Sequence, residues 1–382
     1  MPNILRQKIG KLCRTVFSYL PLRNYILFES VPDLSDSTKP VFDEMVQRGL
    51  NKKYKLIWWV KDKKDKKLPK IHNVIYVDNG TFLNTRRFQY YRFRAKCLIY
   101  CNKYLHKDNK KTKSFYITHG TAIKSIKAYY HAPEDLDYCF ITSPHFIVMM
   151  SKENTVPPEK MIALGYPRND VFSEPMIDLH DILKKDYDKV IVWYPTYRQH
   201  KNSKNILSGD SLPIIHDSEK AKIINDILVK NRVIIVVKPH FAQDISYVKD
   251  LNLSNIIFID DNFFVDNAIS SYRFVGSCDA LLTDYSSVYF DYLLCNKPIG
   301  LVWEDIDSYR NNPGFALDLD YYMKAAEKIY NVDELSHFIE DVACNRDSLK
   351  SEREEINRLA NYSCDGENTK RVVDFIIDKA GL

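Results

Sequence analysis

Short runs of β-branched and aromatic residues alternate with helical stretches along most of this 382-residue chain, and that alternation leaves few folds open. The first series of runs is Tyr25–Phe28, Lys55–Val60, Val74–Val77, Cys97–Tyr100, Phe115–Thr118 and Tyr138–Thr142, with helical patterns over Lys39–Arg48 and Phe82–Phe93. A second series runs through Val190–Trp193, Val233–Val237, Ile256–Ile259, Ala280–Thr283 and Ile299–Trp303, with helices at Glu219–Lys230 and Val288–Leu294. Strands separated by helices run parallel, because only a crossover connection returns the chain to the same edge direction. The text breaks between the series at residues 167–188, where Pro167, Pro175 and the charged stretch DILKKDYDK interrupt it. The pattern predicts an α/β protein of two doubly wound, Rossmann-like domains in tandem, facing a central cleft. No internal repeat and no low-complexity segment competes with that reading.

Charge is distributed unevenly. Residues 1–130 hold 28 lysines and arginines against nine acidic residues, and the remainder holds 27 against 41, so a net +5 conceals a basic front and an acidic rear. Such asymmetry speaks to anionic partners: lipid, nucleic acid or polyphosphate. Residues 1–24 carry Arg6, Lys8, Lys11, Arg14 and Arg23 with no acid, and Ile4, Leu5, Ile9, Leu12, Val16, Phe17 and Leu20 recur at near-helical spacing. This is a basic amphipathic helix, able to lie on an anionic membrane surface or to pack on the protein's own body. Lysines at 61–70 and arginines at 86–94 add basic surface. No run of about 18 apolar residues spans a membrane, and no secretory signal is legible. Eight scattered cysteines without a CxxC pair fit a reduced, cytosolic chain better than a disulfide or zinc framework.

In open α/β sheets ligands bind beyond the carboxyl ends of strands, so the residues just after each run are the candidates. Phe115–Thr118 ends in His119, with Gly120 leaving it little steric cover and Lys124 about one helical turn on; histidine titrates near working pH and suits a general base. Val190–Trp193 ends in a proline followed by Thr196 and Arg198, the latter suited to phosphate. Val233–Val237 ends in Lys238, Pro239 and His240. Ala280–Thr283 leads through Asp284 to Ser286 and Ser287 at a helix start, where free N–H groups and the helix dipole attract phosphate. Each has an ordinary structural alternative: a histidine bonded to a carbonyl, an arginine paired with a carboxylate, a serine N-cap. No Walker A motif, GxGxxG or metal-ligand spacing is present, and no RRM, helix-turn-helix or zinc-finger signature points to nucleic acid.

Taken in order, THGTAIK (118–124), GYPRND (165–170), WYPTYR (193–198), KPH (238–240), LLTDYSSVYFDYLLCNKP (281–298) and DIDSYRNNPGF (305–315) resemble the CDP-glycerol glycerophosphotransferase family, from Tyr25 to the C-terminal helices. The TDYSS string and GYPRND are the specific parts. The resemblance implies a GT-B-like architecture and transfer of glycerol or ribitol phosphate from a CDP-activated donor to an acceptor hydroxyl, releasing CMP, in teichoic acid or capsule synthesis. It implies His119 as base on the acceptor, although Thr118 stands where tryptophan is usual, and His240 near the donor pyrophosphate. Ser286 and Ser287 match the phosphate-holding serines; Arg168, Asp170, Arg198, Asp284 and Asp291 fall on recurring positions. The expected layout is a membrane-surface helix at 1–24, an acceptor domain at 25–175 and a CDP-donor domain at 176–382. The expected setting is the cytoplasmic face of the membrane, with a lipid-linked acceptor, no certain cofactor, and at most a divalent cation on the pyrophosphate. The alternative is a GT-B glycosyltransferase using a nucleotide sugar.

Overall fold

Runs such as YILFE, CLIY, VIIVV and ALLT are apolar on both faces, and residues of that kind are stable only in strands covered by helices on either side. The computed structural model describes residues 19–61, 68–78, 82–127, 131–196, 212–239, 248, 251, 253–311 and 313–382. The basic amphipathic helix expected at 1–24 lies, up to residue 18, outside the described residues.

The chain divides into two units. The first draws on residues within 1–119, 130–170 and 362–382, and the second on residues within 120–129 and 171–361. The first unit holds a seven-stranded parallel sheet: β1 (Tyr25–Glu29), β2 (Lys55–Val60), β3 (Val74–Asp78), β4 (Cys97–Tyr100), β5 (Lys113–Ile117), β6 (Tyr138–Ile141) and β7 (Met161–Ala163), in the order β3-β2-β1-β4-β5-β6-β7. Strand order reverses between β1 and β4, which makes the gap beyond their carboxyl ends the switch point of this sheet. Its core joins Phe28, Phe42, Trp58, Ile99 and Phe115 to Val372, Val373 and Ile376 of the C-terminal helix Asn368–Ala380.

The second unit holds a six-stranded parallel sheet: β8 (Lys189–Trp193), β9 (Val233–Val237), β10 (Ile256–Phe258), β11 (Ala280–Thr283), β12 (Ile299–Val302) and β13 (Glu327–Ile329), in the order β10-β9-β8-β11-β12-β13. Its switch point falls between β8 and β11. Helix Ser218–Lys230 starts where Asp217 accepts from the Lys220 N–H, and it buries Ala221, Ile224 and Leu228 on one face. Helix Val332–Ala343 does the same with Asn331 as cap and Leu335, Phe338, Ile339 and Val342 inward.

The structure departs from the sequence reading at the edges and at the tail. β7 and β13, three residues each, are too short to carry a periodic signal, and short edge strands are a common defence against edge-to-edge pairing. The C-terminal helix, expected with the second domain, completes the first unit instead. Its first-turn N–H groups, at Asn368 and Thr369, donate to the Asp170 carboxylate at 2.9 and 2.7 Å. Each fully buried valine or isoleucine on its inner face contributes about 1.5–3 kcal/mol.

Candidate active site

Four side chains meet beyond the carboxyl ends of the first sheet. His119 follows β5, Asn102 follows β4, Asp36 lies in the loop after β1, and Arg168 lies in the turn after β7. His119 Nδ1 sits 2.5 Å from Asp36 Oδ2, and Arg168 donates to Asp36 Oδ1 at 2.8 Å. The imidazole is 65% exposed, whereas the Asp36 and Arg168 side chains are 6% and 3% exposed. Burial by itself would raise the Asp36 carboxyl, but the Arg168 charge, the adjoining His119 imidazole and the hydrogen bonds from both outweigh it and hold the group far below the usual carboxylate range. The result is an exposed imidazole whose inner nitrogen rests on a buried carboxylate.

The GYPRND segment builds this arrangement. Gly165 has φ +84°, and a Cβ there would lie 2.1 Å from Asn368 Oδ1, so only glycine fits. Tyr166 places its hydroxyl 2.5 Å from the Thr118 hydroxyl, which also donates to the Phe140 carbonyl. Thr118 is thus an interior residue tied to the strand tip. Arg168 stacks over the Tyr166 ring at 5.0 Å. Gly165→Ala should combine a left-handed backbone penalty with overpacking and lower unfolding stability by about 2–5 kcal/mol. A denaturant midpoint left within error of the parent would contradict this.

In the second unit the predicted residues divide into two groups. Asp284 is wholly buried and accepts from the Thr196 N–H (2.8 Å), the Thr196 hydroxyl (2.5 Å) and the Tyr285 N–H (2.6 Å), stitching the loop after β8 to the loop after β11 across the switch point. Asp291, 1% exposed, accepts from the Tyr272 hydroxyl at 2.9 Å. Both were expected to bind substrate; the structure gives them bracing contacts. Ser286 and Ser287 are half-buried at the start of helix Val288–Tyr292, and Ser287 makes no capping hydrogen bond with its side chain, so the plain N-cap alternative does not account for its hydroxyl. Lys238 pairs with Asp261 at 3.1 Å and lies 5.9 Å from the Tyr194 ring centre. Gly120 and Lys124 belong to a segment of this unit that pairs with the 314–316 stretch: Lys124 bridges Phe315, Ser125 donates to the Gly314 carbonyl and Ala316 donates to the Ile123 carbonyl. Two motifs far apart in sequence are therefore one structural element. Arg198 and His240 lie outside the described residues.

Sequence reasoning missed Asp36 and Asn102. Asp36, in the run SDS before a helix, reads as a capping residue, and Asn102 reads as a loop polar group. The strand-tip rule that selected His119 would have reached Asn102, two residues after β4, but not Asp36, seven residues beyond the end of β1. Among the described residues no group of three His, Cys, Asp or Glu side chains could hold a metal ion, and no helix is long and apolar enough to cross a membrane.

The sequence profile of the CDP-glycerol:poly(glycerophosphate) glycerophosphotransferases matches residues 13–378. The chain belongs to this family. It is therefore a transferase, and the family match favours polyol-phosphate transfer over the nucleotide-sugar alternative. A teichoic acid glycerol-phosphate transferase of Staphylococcus aureus is 24% identical over 350 residues, 83% of this chain and 84% of the relative. A teichoic acid poly(glycerol phosphate) polymerase of Bacillus spizizenii is 26% identical over 341 residues, 80% of this chain and 81% of the relative. Among solved structures, that of the wall teichoic acid polymerase TagF matches with a TM-score of 0.75 at 20% identity, covering 99% of this chain and 95% of the other. That likeness establishes the fold as GT-B-like.

Proposed function

We propose that this transferase carries glycerol phosphate or ribitol phosphate from a CDP-activated donor to a hydroxyl of a lipid-linked glycan or polyol-phosphate acceptor, in teichoic acid or capsule synthesis. The observation that carries the reading is His119, an exposed imidazole at a strand tip whose Nδ1 rests on a buried carboxylate, within the family's histidine motif. In the proposed step Nε2 takes the proton of the acceptor hydroxyl as its oxygen attacks the phosphorus that bears the polyol. The bond from that phosphorus to the bridging oxygen breaks, and the electron pair leaves on CMP.

The donor's pyrophosphate needs a positive and hydrogen-bonding cradle in place before reaction. Ser286 and Ser287 at a helix start, and Lys238 at the tip of β9, are the described groups that suit it; Arg198 and His240 join them by resemblance to the family. Thr196 and Asp284 support the cradle by joining the loops after β8 and β11. Replacing Ser286 and Ser287 together by alanine removes two hydroxyl donors and keeps the backbone N–H groups. Donor binding should weaken by about 1.5–3 kcal/mol, the range for hydrogen bonds to charged groups. Calorimetric titration with CDP-glycerol checks this, and an unchanged affinity would remove both serines from the cradle.

The basic character of residues 1–130 and the amphipathic pattern of residues 1–24 support a peripheral place on an anionic, cytoplasmic membrane face, where a lipid-linked acceptor meets a soluble donor. The whole reading is tested by CMP release from CDP-glycerol and CDP-ribitol beside a panel of nucleotide sugars, with acceptor in vesicles. Turnover confined to a nucleotide sugar would overturn it.

A further inference from the structure

We propose that Asp36 is a positioning residue of the reaction: its carboxylate, ion-paired with the buried Arg168, fixes the proton of His119 on Nδ1 and so leaves Nε2 bare to act as base. The inference rests on the reading of His119 as the base and adds the group that decides which ring nitrogen does the work.

Two side chains contend for Nδ1, and they require opposite tautomers. Asp36 Oδ2, at 2.5 Å, accepts and so requires an N–H. Asn102 Nδ2, at 3.1 Å, donates and so requires a lone pair. The Asn102 amide cannot turn to suit the other tautomer, because its Oδ1 already accepts from the Val31 N–H at 2.7 Å and from the Cys101 thiol at 2.8 Å. The contest is settled by charge: a hydrogen bond to an ionised carboxylate is shorter and roughly twice as strong as a neutral one. Nδ1 therefore carries the proton, and the exposed Nε2 presents its lone pair.

That outcome needs Asp36 ionised and correctly placed, and the surroundings supply both. Arg168, 3% exposed, engages Oδ1 while His119 engages Oδ2, so the two oxygens have separate partners. The Cys101 thiol, which feels the Asp36 and Glu29 carboxylates, is pushed well up by burial and stays neutral. Glu29, raised by burial, spends Oε2 on the N–H groups of Asn102 and Lys103 and does not compete for the imidazole. The loop that carries Asp36 turns through the left-handed region at two non-glycine residues, Leu34 (φ 55°) and Asp36 itself (φ 53°). It is held there by Ser30, whose hydroxyl accepts from the Ser35 N–H and donates to the Pro32 carbonyl, and by the Ser37 N–H donating to Asp36 Oδ1. Backbone of this kind persists only where neighbouring contacts over-determine it, and it gathers at functional sites.

The test combines imidazole ¹⁵N NMR with kinetics on the full chain. In the parent enzyme the His119 ring should show a protonated Nδ1 and a bare Nε2 at neutral pH; the reverse pattern overturns the proposal whatever any variant does. In Asp36→Asn the new amide can present its NH₂ to Nδ1 alongside Asn102, so the proton should move to Nε2. We expect kcat to fall about 100-fold or more with KM for the CDP donor within about twofold, because only the transition state uses the base. Asp36→Glu should return the parent ¹⁵N pattern with partial recovery of kcat. An Asp36→Asn variant that keeps the parent pattern and the parent kcat would overturn the positioning role. Failure of the underlying reading looks different: His119→Ala would turn over normally, while the ¹⁵N pattern would still answer for Asp36.

Discussion

Replacing His119 by alanine is expected to lower polyol-phosphate transfer by roughly 10²–10⁴-fold, the span that a positioned general base provides. Affinity for the CDP donor should stay within about twofold, because in the proposed step the lost group acts on the acceptor hydroxyl in the transition state and not on the bound nucleotide. The side chain is 65% exposed and meets Asp36 and Asn102 through Nδ1, so its removal costs the fold little. Single-turnover rates and a calorimetric titration with CDP-glycerol measure the two quantities separately. Near-parent turnover would remove His119 from the mechanism. A loss of donor affinity as large as the loss of rate would move it from the acceptor to the donor.

The second large effect is expected at Arg168, and it is one of stability. Substitution by methionine keeps much of the side-chain volume but strands Asp36, 6% exposed, without the guanidinium that balances it. Removing one partner of a buried pair leaves an uncompensated charge and costs about 3–5 kcal/mol. Adding Asp36→Asn to the Arg168→Met variant should recover part of that loss, since the stranded charge is then gone, and a urea-unfolding double-mutant cycle reads the coupling. The pH dependence has a definite sign. The Asp36 carboxyl is depressed in the folded protein, so its stabilising share is fully present above the ordinary carboxylate pKa of about 3.9 and is lost as pH falls below that value. Were Arg168 instead a direct substrate ligand, the methionine variant would unfold like the parent and lose only affinity.

Much of this architecture is written in local patterns. β2, β4, β9 and β11 have the bounds that their apolar runs predict, because strands buried on both faces leave no doubt about where water is excluded. Helix Ser218–Lys230 begins one residue before its predicted start because Asp217 caps it. What stayed hidden depends on distance along the chain. β7 and β13 are three residues each and exist because a neighbouring strand offers a register, a fact no local window contains. The return of Asn368–Ala380 to the first unit depends on Asp170, 198 residues away, accepting its first N–H groups.

The candidate site shows the same division. Strand-tip position put forward His119, Lys238 and the Ser286–Ser287 helix start as candidates without any structure. It did not reveal that Asp36, 83 residues before His119, orients the imidazole. Nor did the resemblance, which singled out Arg168, Asp284 and Asp291 as recurring positions, reveal that these residues spend their charge inside the protein. Charged residues in a motif are as often the braces of a site as its contact surface, and burial separates the two: these three are 3%, 0% and 1% exposed.

The central claim, transfer of a polyol phosphate with release of CMP, is tested most directly by the mass of the product. The full chain is incubated with CDP-glycerol or CDP-ribitol and a lipid-disaccharide acceptor in anionic vesicles, and acceptor and nucleotide are both followed by mass spectrometry. The account predicts an acceptor heavier by one or more whole glycerol-phosphate or ribitol-phosphate groups, with one CMP formed for each group added. An acceptor unchanged by every CDP-polyol, yet glycosylated from a nucleotide sugar without CMP release, would contradict it.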